Sequence, residues 1–109
     1  MADPRLKQIT IKTGVLKRLA KEVTVYQKEA DVQKTKVEKL READPQDEYM
    51  LKKQEEVLQE CLMMIPDCQR RVKKAYEELK ELLDNEKELN ETKQYTSAIE
   101  VLETVKETI

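Results

Sequence analysis

The fold is decided by residues 51–82, which read LKKQEEVLQECLMMIPDCQRRVKKAYEELKEL. Ten positions in this stretch follow one another at alternating steps of three and four residues, and only one of them is polar. That spacing places the side chains along one stripe of an α-helix. The segment therefore predicts a long amphipathic helix. Its stripe consists of Leu51, Gln54, Leu58, Cys61, Ile65, Cys68, Val72, Ala75, Leu79 and Leu82.

Pro66 lies inside this pattern and leaves two interpretations of the segment. A proline removes one backbone donor and crowds the carbonyl four residues earlier, so it either kinks a helix or ends it. The apolar pattern keeps its phase across Pro66, and Ile65 would be a poor N-cap for a new helix. We therefore predict one continuous helix with a kink at Pro66, whereas a break there would divide the chain into four helices.

Short polar signals set the ends of this second helix and the start of a third. Asp44 followed by Pro45 is typical of a capping residue and a first helical position, so helix 2 is predicted over about 46–88. Asn90 is predicted to be left-handed where that helix ends. A third apolar stripe predicts helix 3 over about 91–108; it consists of Tyr95, Ala98, Ile99, Leu102, Val105 and Ile109.

The first part of the chain carries the same kind of stripe, interrupted only by Lys12 and Gln33. Asp3 and Pro4 supply the cap and the first position, so helix 1 is predicted over about 4–42. The apolar positions are Ile9, Leu16, Leu19, Val23, Tyr26, Ala30, Val37 and Leu40. Three such segments joined by short links predict an all-α fold: an elongated, coiled-coil-like, up-down-up antiparallel three-helix bundle that forms a single domain over 1–109.

The composition argues against several kinds of active site. The chain has one glycine, Gly14, and no histidine, so it lacks nucleotide-binding glycine loops, the commonest general base and the commonest zinc ligand. Cys61 and Cys68 are seven residues apart, roughly 10 Å along one helix, which is too far for a disulfide. We therefore predict a protein that is not an enzyme, with free thiols and with no catalytic residue, metal site or cofactor.

The charges are distributed unevenly along the chain. Residues 1–21 carry six basic residues and one acidic residue, whereas residues 77–109 carry ten acidic and four basic ones. A basic start can bind nucleic acid, an anionic membrane or an acidic protein. The alternative is that it faces the acidic last third inside one bundle. No run of 18 apolar residues and no apolar signal segment occurs, so a soluble cytoplasmic protein is predicted.

Several apolar and basic residues fall outside the predicted core stripes. Ile11, Val25 and Val32 share one outward heptad position of helix 1, and Tyr49 and Met63 share another in helix 2. The cluster at 70–74 is basic, but it lacks the interleaved aromatic residues of a nucleic-acid site. Such residues either form a partner surface or are ordinary exposed positions. The predicted partner-binding residues are Arg18, Val25, Val32, Met63, Arg70, Arg71 and Lys74.

Three short stretches carry a resemblance to a known family. Residues 1–5 read MADPR, residues 11–15 read IKTGV, and residues 63–71 read MMIPDCQRR, with Ala75-Tyr76 after them. In these stretches the sequence resembles the tubulin-binding cofactor A family, also called the tubulin-specific chaperone A proteins. The resemblance covers essentially the whole chain, and the chain length is similar. The stretch at 63–71 is the most specific, because a proline-containing helix with this sequence is unlikely to match the family by chance.

The resemblance implies a monomeric three-helix bundle that binds β-tubulin through helical surfaces. It implies that the protein acts after the cytosolic chaperonin releases the folding intermediate. The protein would then hold β-tubulin for assembly of the α/β heterodimer, with other tubulin-folding cofactors downstream. No nucleotide hydrolysis is implied. The implied location is cytoplasmic and associated with the cytoskeleton, with neither nucleic acid nor membrane as a partner.

Periodicity alone also fits a structural coiled-coil protein that homo-oligomerises or scaffolds another helical partner. The two interpretations differ at Asp44-Pro45, which breaks the heptad frame and lets the chain fold back on itself. That break favours the bundle.

Overall fold

Three long α-helices account for most of the chain in the computed structural model, which describes residues 3–109. They are α1 (Pro4–Glu42), α2 (Glu48–Asn85) and α3 (Lys93–Lys106), and a short 3₁₀ turn over Lys87–Leu89 precedes α3. No β-strand occurs within the described residues, and none of their helices is long and apolar enough to cross a bilayer. The predicted all-α fold with three helices is confirmed.

α1 spans the range that the sequence predicts, and its first turn shows why. The Asp3 carboxylate accepts a hydrogen bond from the backbone N–H of Arg5, with Oδ1 2.9 Å from the nitrogen. The Asp3 carbonyl accepts from the backbone N–H of Leu6 at 3.0 Å. Pro4 occupies the first helical position, where its missing N–H costs nothing. A capped N-terminus therefore fixes where α1 begins.

α2 begins two residues later than predicted, because a different aspartate caps it. The backbone N–H of Met50 donates to Asp47 Oδ1 at 3.0 Å, and that of Leu51 donates to the Asp47 carbonyl at 2.9 Å. The prediction that Asp44 caps the helix and that Pro45 opens it is therefore wrong. Both residues lie in the link between α1 and α2.

The junction between α2 and α3 also differs from the prediction. α2 ends at Asn85 rather than near residue 88. Asn90 is right-handed, with φ of −61°, so the predicted left-handed conformation is wrong. α3 begins at Lys93 because the Thr92 hydroxyl accepts a hydrogen bond from the Tyr95 N–H at 3.2 Å. A threonine N-cap, which was not recognised in the sequence, therefore sets this start.

Pro66 lies within α2, which continues on both sides of it. The alternative of four helices is therefore wrong. The apolar stripe keeps its phase across the proline, as predicted, whereas the kink at Pro66 stays a prediction. Half-buried Ile65 and buried Cys68 stand on either side of the proline in that stripe.

The helices contribute to two compact units. The hairpin unit, Glu22–Cys68, contains the second half of α1 and the first half of α2. The three-helix unit combines the chain up to Lys21 with Gln69–Ile109, and it contains parts of all three helices. That the two units form a single domain stays a prediction.

The three-helix unit holds the larger apolar core. In α3 the buried residues follow the spacing of four and three that one helix face requires. Ile99 lies one position off that face and is 37% exposed, and Ile109 lies beyond the helix and is 50% exposed. Their predicted place in the core stripe is therefore wrong. The buried residues of this unit are Ile9, Leu16, Val72, Leu79, Leu83, Ala98, Leu102 and Val105.

The hairpin unit has only two helices with which to bury apolar surface. Its buried hydrophobic residues are Val23, Ala30, Val37 and Cys68, all of them at predicted stripe positions. Two helices in contact cover one stripe each, so the flanks of those stripes remain accessible. This unit therefore carries most of the exposed large apolar side chains described below.

Candidate functional site

The predicted site residues lie on exposed surfaces of the described part of the chain. No group of three or more metal-ligating side chains occurs among residues 3–109. Cys61 is half-buried and Cys68 is buried, and neither forms a disulfide. Asp3 and Arg5 have shifted pKa values, and they form a half-buried ion pair with each other. The candidate site is the exposed surface on which the predicted partner-binding residues lie.

The seven predicted partner-binding residues are all exposed. Among the apolar ones, Val32 is 71% exposed, Met63 is 70% exposed and Val25 is 43% exposed. The prediction that these side chains point away from the core is therefore confirmed. Their contact with a partner stays a prediction.

The seven residues divide between the two units. Val25, Val32 and Met63 belong to the hairpin unit. The basic residues belong to the three-helix unit, where Arg70, Arg71 and Lys74 lie within two turns of α2. The three-helix unit also contains Arg18, on α1. The apolar residues and the basic residues of the predicted site therefore belong to different units.

The hairpin unit contains two neighbouring grooves between α1 and α2. The first, called here the Val32 groove, has a volume of about 470 Å³ and is lined by Val25, Lys28, Glu29, Val32, Gln33 and Cys61. The second, called the Met63 groove, has a volume of about 410 Å³. It is lined by Tyr26, Glu29, Val57, Glu60, Cys61, Met63 and Met64. Both grooves therefore include Glu29 and Cys61.

Sequence reasoning missed Val57 and Met64 as site residues. Both are 40% exposed, as is Met50, and the three follow one another at steps of seven residues along α2. A step of seven returns to nearly the same helix face. This apolar row beside the core stripe was present in the sequence. It is the signal that could have identified the second side of the groove.

Two basic residues near the start of the chain form ion pairs within the three-helix unit. Arg5 Nη1 is 2.8 Å from Glu86 Oε2, and it also pairs with Glu88. Lys12 Nζ is 3.7 Å from Glu78 Oε2. All three acids lie in the acidic last third of the chain, so these contacts support the alternative in which the two charged regions face each other. The contribution of Arg5 and Lys12 to a partner surface is reduced accordingly.

The Asp3–Arg5 pair shifts both groups in the direction of the charged form. Hydrogen bonds from the Arg5 side chain, and then from its backbone N–H, lower the pKa of the Asp3 carboxyl. Hydrogen bonds to Asp3, Glu86 and Glu88 raise the pKa of Arg5. This cluster therefore stabilises the start of α1 rather than providing a proton donor or acceptor for chemistry.

Comparisons with known proteins cover nearly the whole chain. The family model described as Tubulin binding cofactor A matches residues 4–102. Tubulin-specific chaperone A of Gallus gallus is 58% identical over 106 residues, which are 97% of each chain. The solved structure described as human tubulin chaperone cofactor a is 53% identical, has a TM-score of 0.82 and matches 94% of this chain and 99% of its own. Tubulin folding cofactor A from Arabidopsis thaliana is 33% identical, with a TM-score of 0.85, and matches 95% of this chain and 97% of its own.

Proposed function

This chain belongs to the tubulin binding cofactor A family, and on that premise we propose that it is a chaperone of tubulin folding. It captures β-tubulin intermediates after their release from the cytosolic chaperonin. It then holds them for assembly of the α/β-tubulin heterodimer, without catalysing a reaction. Its place of action is the cytoplasm, in association with the cytoskeleton, and other tubulin-folding cofactors act on the client afterwards.

The observation that carries this proposal is similarity over the full length of a relative named for the function. The match to Tubulin-specific chaperone A of Gallus gallus extends over 97% of both chains. A relationship of that extent includes the surfaces as well as the core, so it bears on binding and not only on the fold. The specific choice of β-tubulin comes from the family resemblance of the sequence.

The surfaces of the molecule suit a binding protein of this kind. The hairpin unit exposes Val25, Val32 and Met63, which can cover apolar surface on an incompletely assembled client. The three-helix unit exposes Arg70, Arg71 and Lys74, which can attract an acidic one. We propose these six residues, together with Arg18, as the surface that contacts the client.

The mechanism is mass action. Binding the assembly-competent form of a client lowers the concentration of its free form, and aggregation falls with that concentration. No energy source is needed, because the client leaves when its heterodimer partner or a downstream cofactor competes for it. The protein therefore acts in proportion to its own concentration.

A native-gel shift with β-tubulin newly released from the chaperonin tests the proposal. A band shift with β-tubulin, and none with α-tubulin in a parallel lane, is the expected result. The control is the same protein after heat denaturation, which should shift neither lane. Absence of a shift with either tubulin, from a folded helical protein, would refute the proposed function.

A second candidate is a coiled-coil protein that homo-oligomerises through the same helices. The exposed apolar residues of the hairpin unit favour it, because a second copy could cover them. The end of α1 at Glu42 and the start of α2 at Glu48 disfavour it, since the heptads do not run on in one helix. Sedimentation equilibrium separates the two: a monomer supports the proposed function, and a stable dimer supports the alternative.

A further inference from the structure

We propose that the Met63 groove binds a helical segment of the client whose apolar stripe is flanked by lysine or arginine. The inference rests on the proposed function for the identity of the client as tubulin. The chemistry of the segment is argued from the groove alone. It differs from the basic patch at Arg70 and Arg71, which would attract an acidic part of the client.

The apolar row of α2 that borders the groove is long enough to contact a helix. The groove lies between α1 and α2 of the hairpin unit, with Tyr26 on one side and Val57 and Met64 on the other. Met50 continues the same row along α2. From Met50 to Met64 the row is about 21 Å long at 1.5 Å per residue, which is the length of four helical turns. An amphipathic helix with anchors at steps of three and four residues fits a row of that length.

The apolar side chains of the groove can adapt to an occupant. Met63 and Met64 are unbranched and polarisable, so they can repack against side chains of different shape. Met63 is 70% exposed, although it lies beside an apolar row. Burying that surface is favourable for any apolar stripe that can reach it. The groove is therefore suited to client segments that are not yet fully packed.

The charge at the groove selects the flanks of the occupant. Glu29 and Glu60 are its only charged lining residues, and both are exposed. Neither carboxylate forms a salt bridge within residues 3–109. A segment with lysine or arginine beside its apolar stripe would pair with them, whereas one with acidic flanks would be repelled.

Charge reversal at the groove tests the inference with the tubulin client. We expect a Glu29→Lys/Glu60→Lys double variant to bind β-tubulin at least tenfold more weakly than the wild type in a native-gel titration. The matched control is Glu38→Lys/Glu56→Lys, which makes the same charge change at exposed positions of the same unit, outside the groove. It should bind within twofold of the wild type. Helical circular dichroism and melting temperature should be unchanged in both variants.

Two outcomes with a binding-competent wild type would overturn the inference. Unchanged binding of the groove variant would show that Glu29 and Glu60 do not face the client. An equal loss in both double variants would show that only the net charge matters. A Glu29→Gln/Glu60→Gln variant removes the two charges without reversing them. Its affinity for β-tubulin should lie between those of the wild type and the charge-reversed variant, which would support a direct charge contact.

Synthetic peptides separate failure of the groove from failure of the tubulin function. One labelled helical peptide carries leucine at steps of three and four residues with lysine flanks, and a second keeps the leucines but carries glutamate flanks. The wild type should prefer the lysine peptide in fluorescence anisotropy, and only the groove variant should lose that preference. If the wild type binds no tubulin but shows this preference, the proposed function fails and the groove assignment stands. If it shows no preference, the groove assignment fails.

Discussion

The side-chain amide of Gln33 on α1 donates a hydrogen bond to that of Gln54 on α2, with 2.8 Å between Nε2 and Oε1. The same Nε2 also donates to the backbone carbonyl of Gln54 at 2.9 Å. Gln33 is a polar interruption of the first apolar stripe, and Gln54 is the polar interruption of the second. The two exceptions therefore pair with each other inside the hairpin unit. A polar pair of this kind favours one register of two helices over the alternatives.

A double-mutant cycle should detect this pair. We expect Gln33→Ala and Gln54→Ala each to lower the free energy of unfolding by about 1 kcal/mol. Gln33→Ala leaves the side-chain oxygen of Gln54 without its donor, and Gln54→Ala leaves Gln33 Nε2 with only the backbone carbonyl of residue 54 as acceptor. The double variant should lose less than the sum, with a coupling of about 0.5–1.5 kcal/mol in urea denaturation. Gln27→Ala and Gln59→Ala, at exposed positions of the same two helices, should show no coupling. Additive effects at 33 and 54 would contradict the pairing.

The position of the α2 cap predicts an asymmetry between two aspartates. Asp47→Ala should lower the free energy of unfolding by about 1 kcal/mol, because it removes the acceptor for the Met50 N–H. Asp44→Ala should change it by no more than about 0.5 kcal/mol, the range for exposed positions outside such features. Urea denaturation followed by circular dichroism measures both. A larger loss of stability for Asp44→Ala than for Asp47→Ala would indicate that Asp44 is the N-cap of α2, as the sequence predicted.

The apolar stripes were predictable from the sequence because burial in a bundle obeys a simple period. Every predicted stripe position of α1 and α2 is buried or half-buried, including the polar pair Gln33 and Gln54. The caps were less predictable. Aspartates at 44 and 47 both precede a helical segment, and only the three-dimensional course of the link decides which carboxylate meets a free N–H.

Only some of the groove residues could be predicted from the sequence, because the position of a groove depends on which flank of each apolar stripe is left uncovered. The outward positions of Val25, Val32 and Met63 follow from the heptad frame. Val57 and Met64 stand beside the core stripe, where a neighbouring helix could equally have covered them. The missing information was where α3 packs. Its buried face, with Ala98 and Leu102, belongs to the three-helix unit.

Gly14 offers a test of how α1 tolerates its single glycine. The residue is inside the helix, is exposed and does not have a positive φ, and a Cβ built on it meets no atom within 4 Å. Gly14→Ala should therefore raise the free energy of unfolding by about 1 kcal/mol. Thermal melting measures the gain, and a loss of stability would show that the glycine is needed for folding. If tubulin binding falls although stability rises, a partner approaches the backbone at this position.

The Asp3–Arg5 pair predicts a pH-dependent contribution to stability. Since folding lowers the pKa of the Asp3 carboxyl, the contribution is fully present above the unfolded pKa of about 3.9 and is lost as the pH falls through the folded pKa. The difference in melting temperature between wild type and Asp3→Asn should therefore be largest near neutral pH and should shrink as the pH falls below the unfolded pKa of about 3.9. Arg5→Gln, which removes the partner, should flatten most of the same dependence. A constant difference across this window would contradict the lowered pKa.

Reversing the charge of the basic patch tests the second half of the proposed client surface. We expect Arg70→Glu/Arg71→Glu to weaken binding of β-tubulin about tenfold or more while helicity and melting temperature stay close to wild type, because both side chains are exposed. The matched control is Lys80→Glu/Lys87→Glu, which makes the same charge change at exposed positions of the three-helix unit. Raising the salt concentration should weaken binding of the wild type and of this control, but should affect the reversed variant less. Unchanged binding of the Arg70/Arg71 variant would remove the patch from the surface and leave the apolar residues of the hairpin unit as the contact.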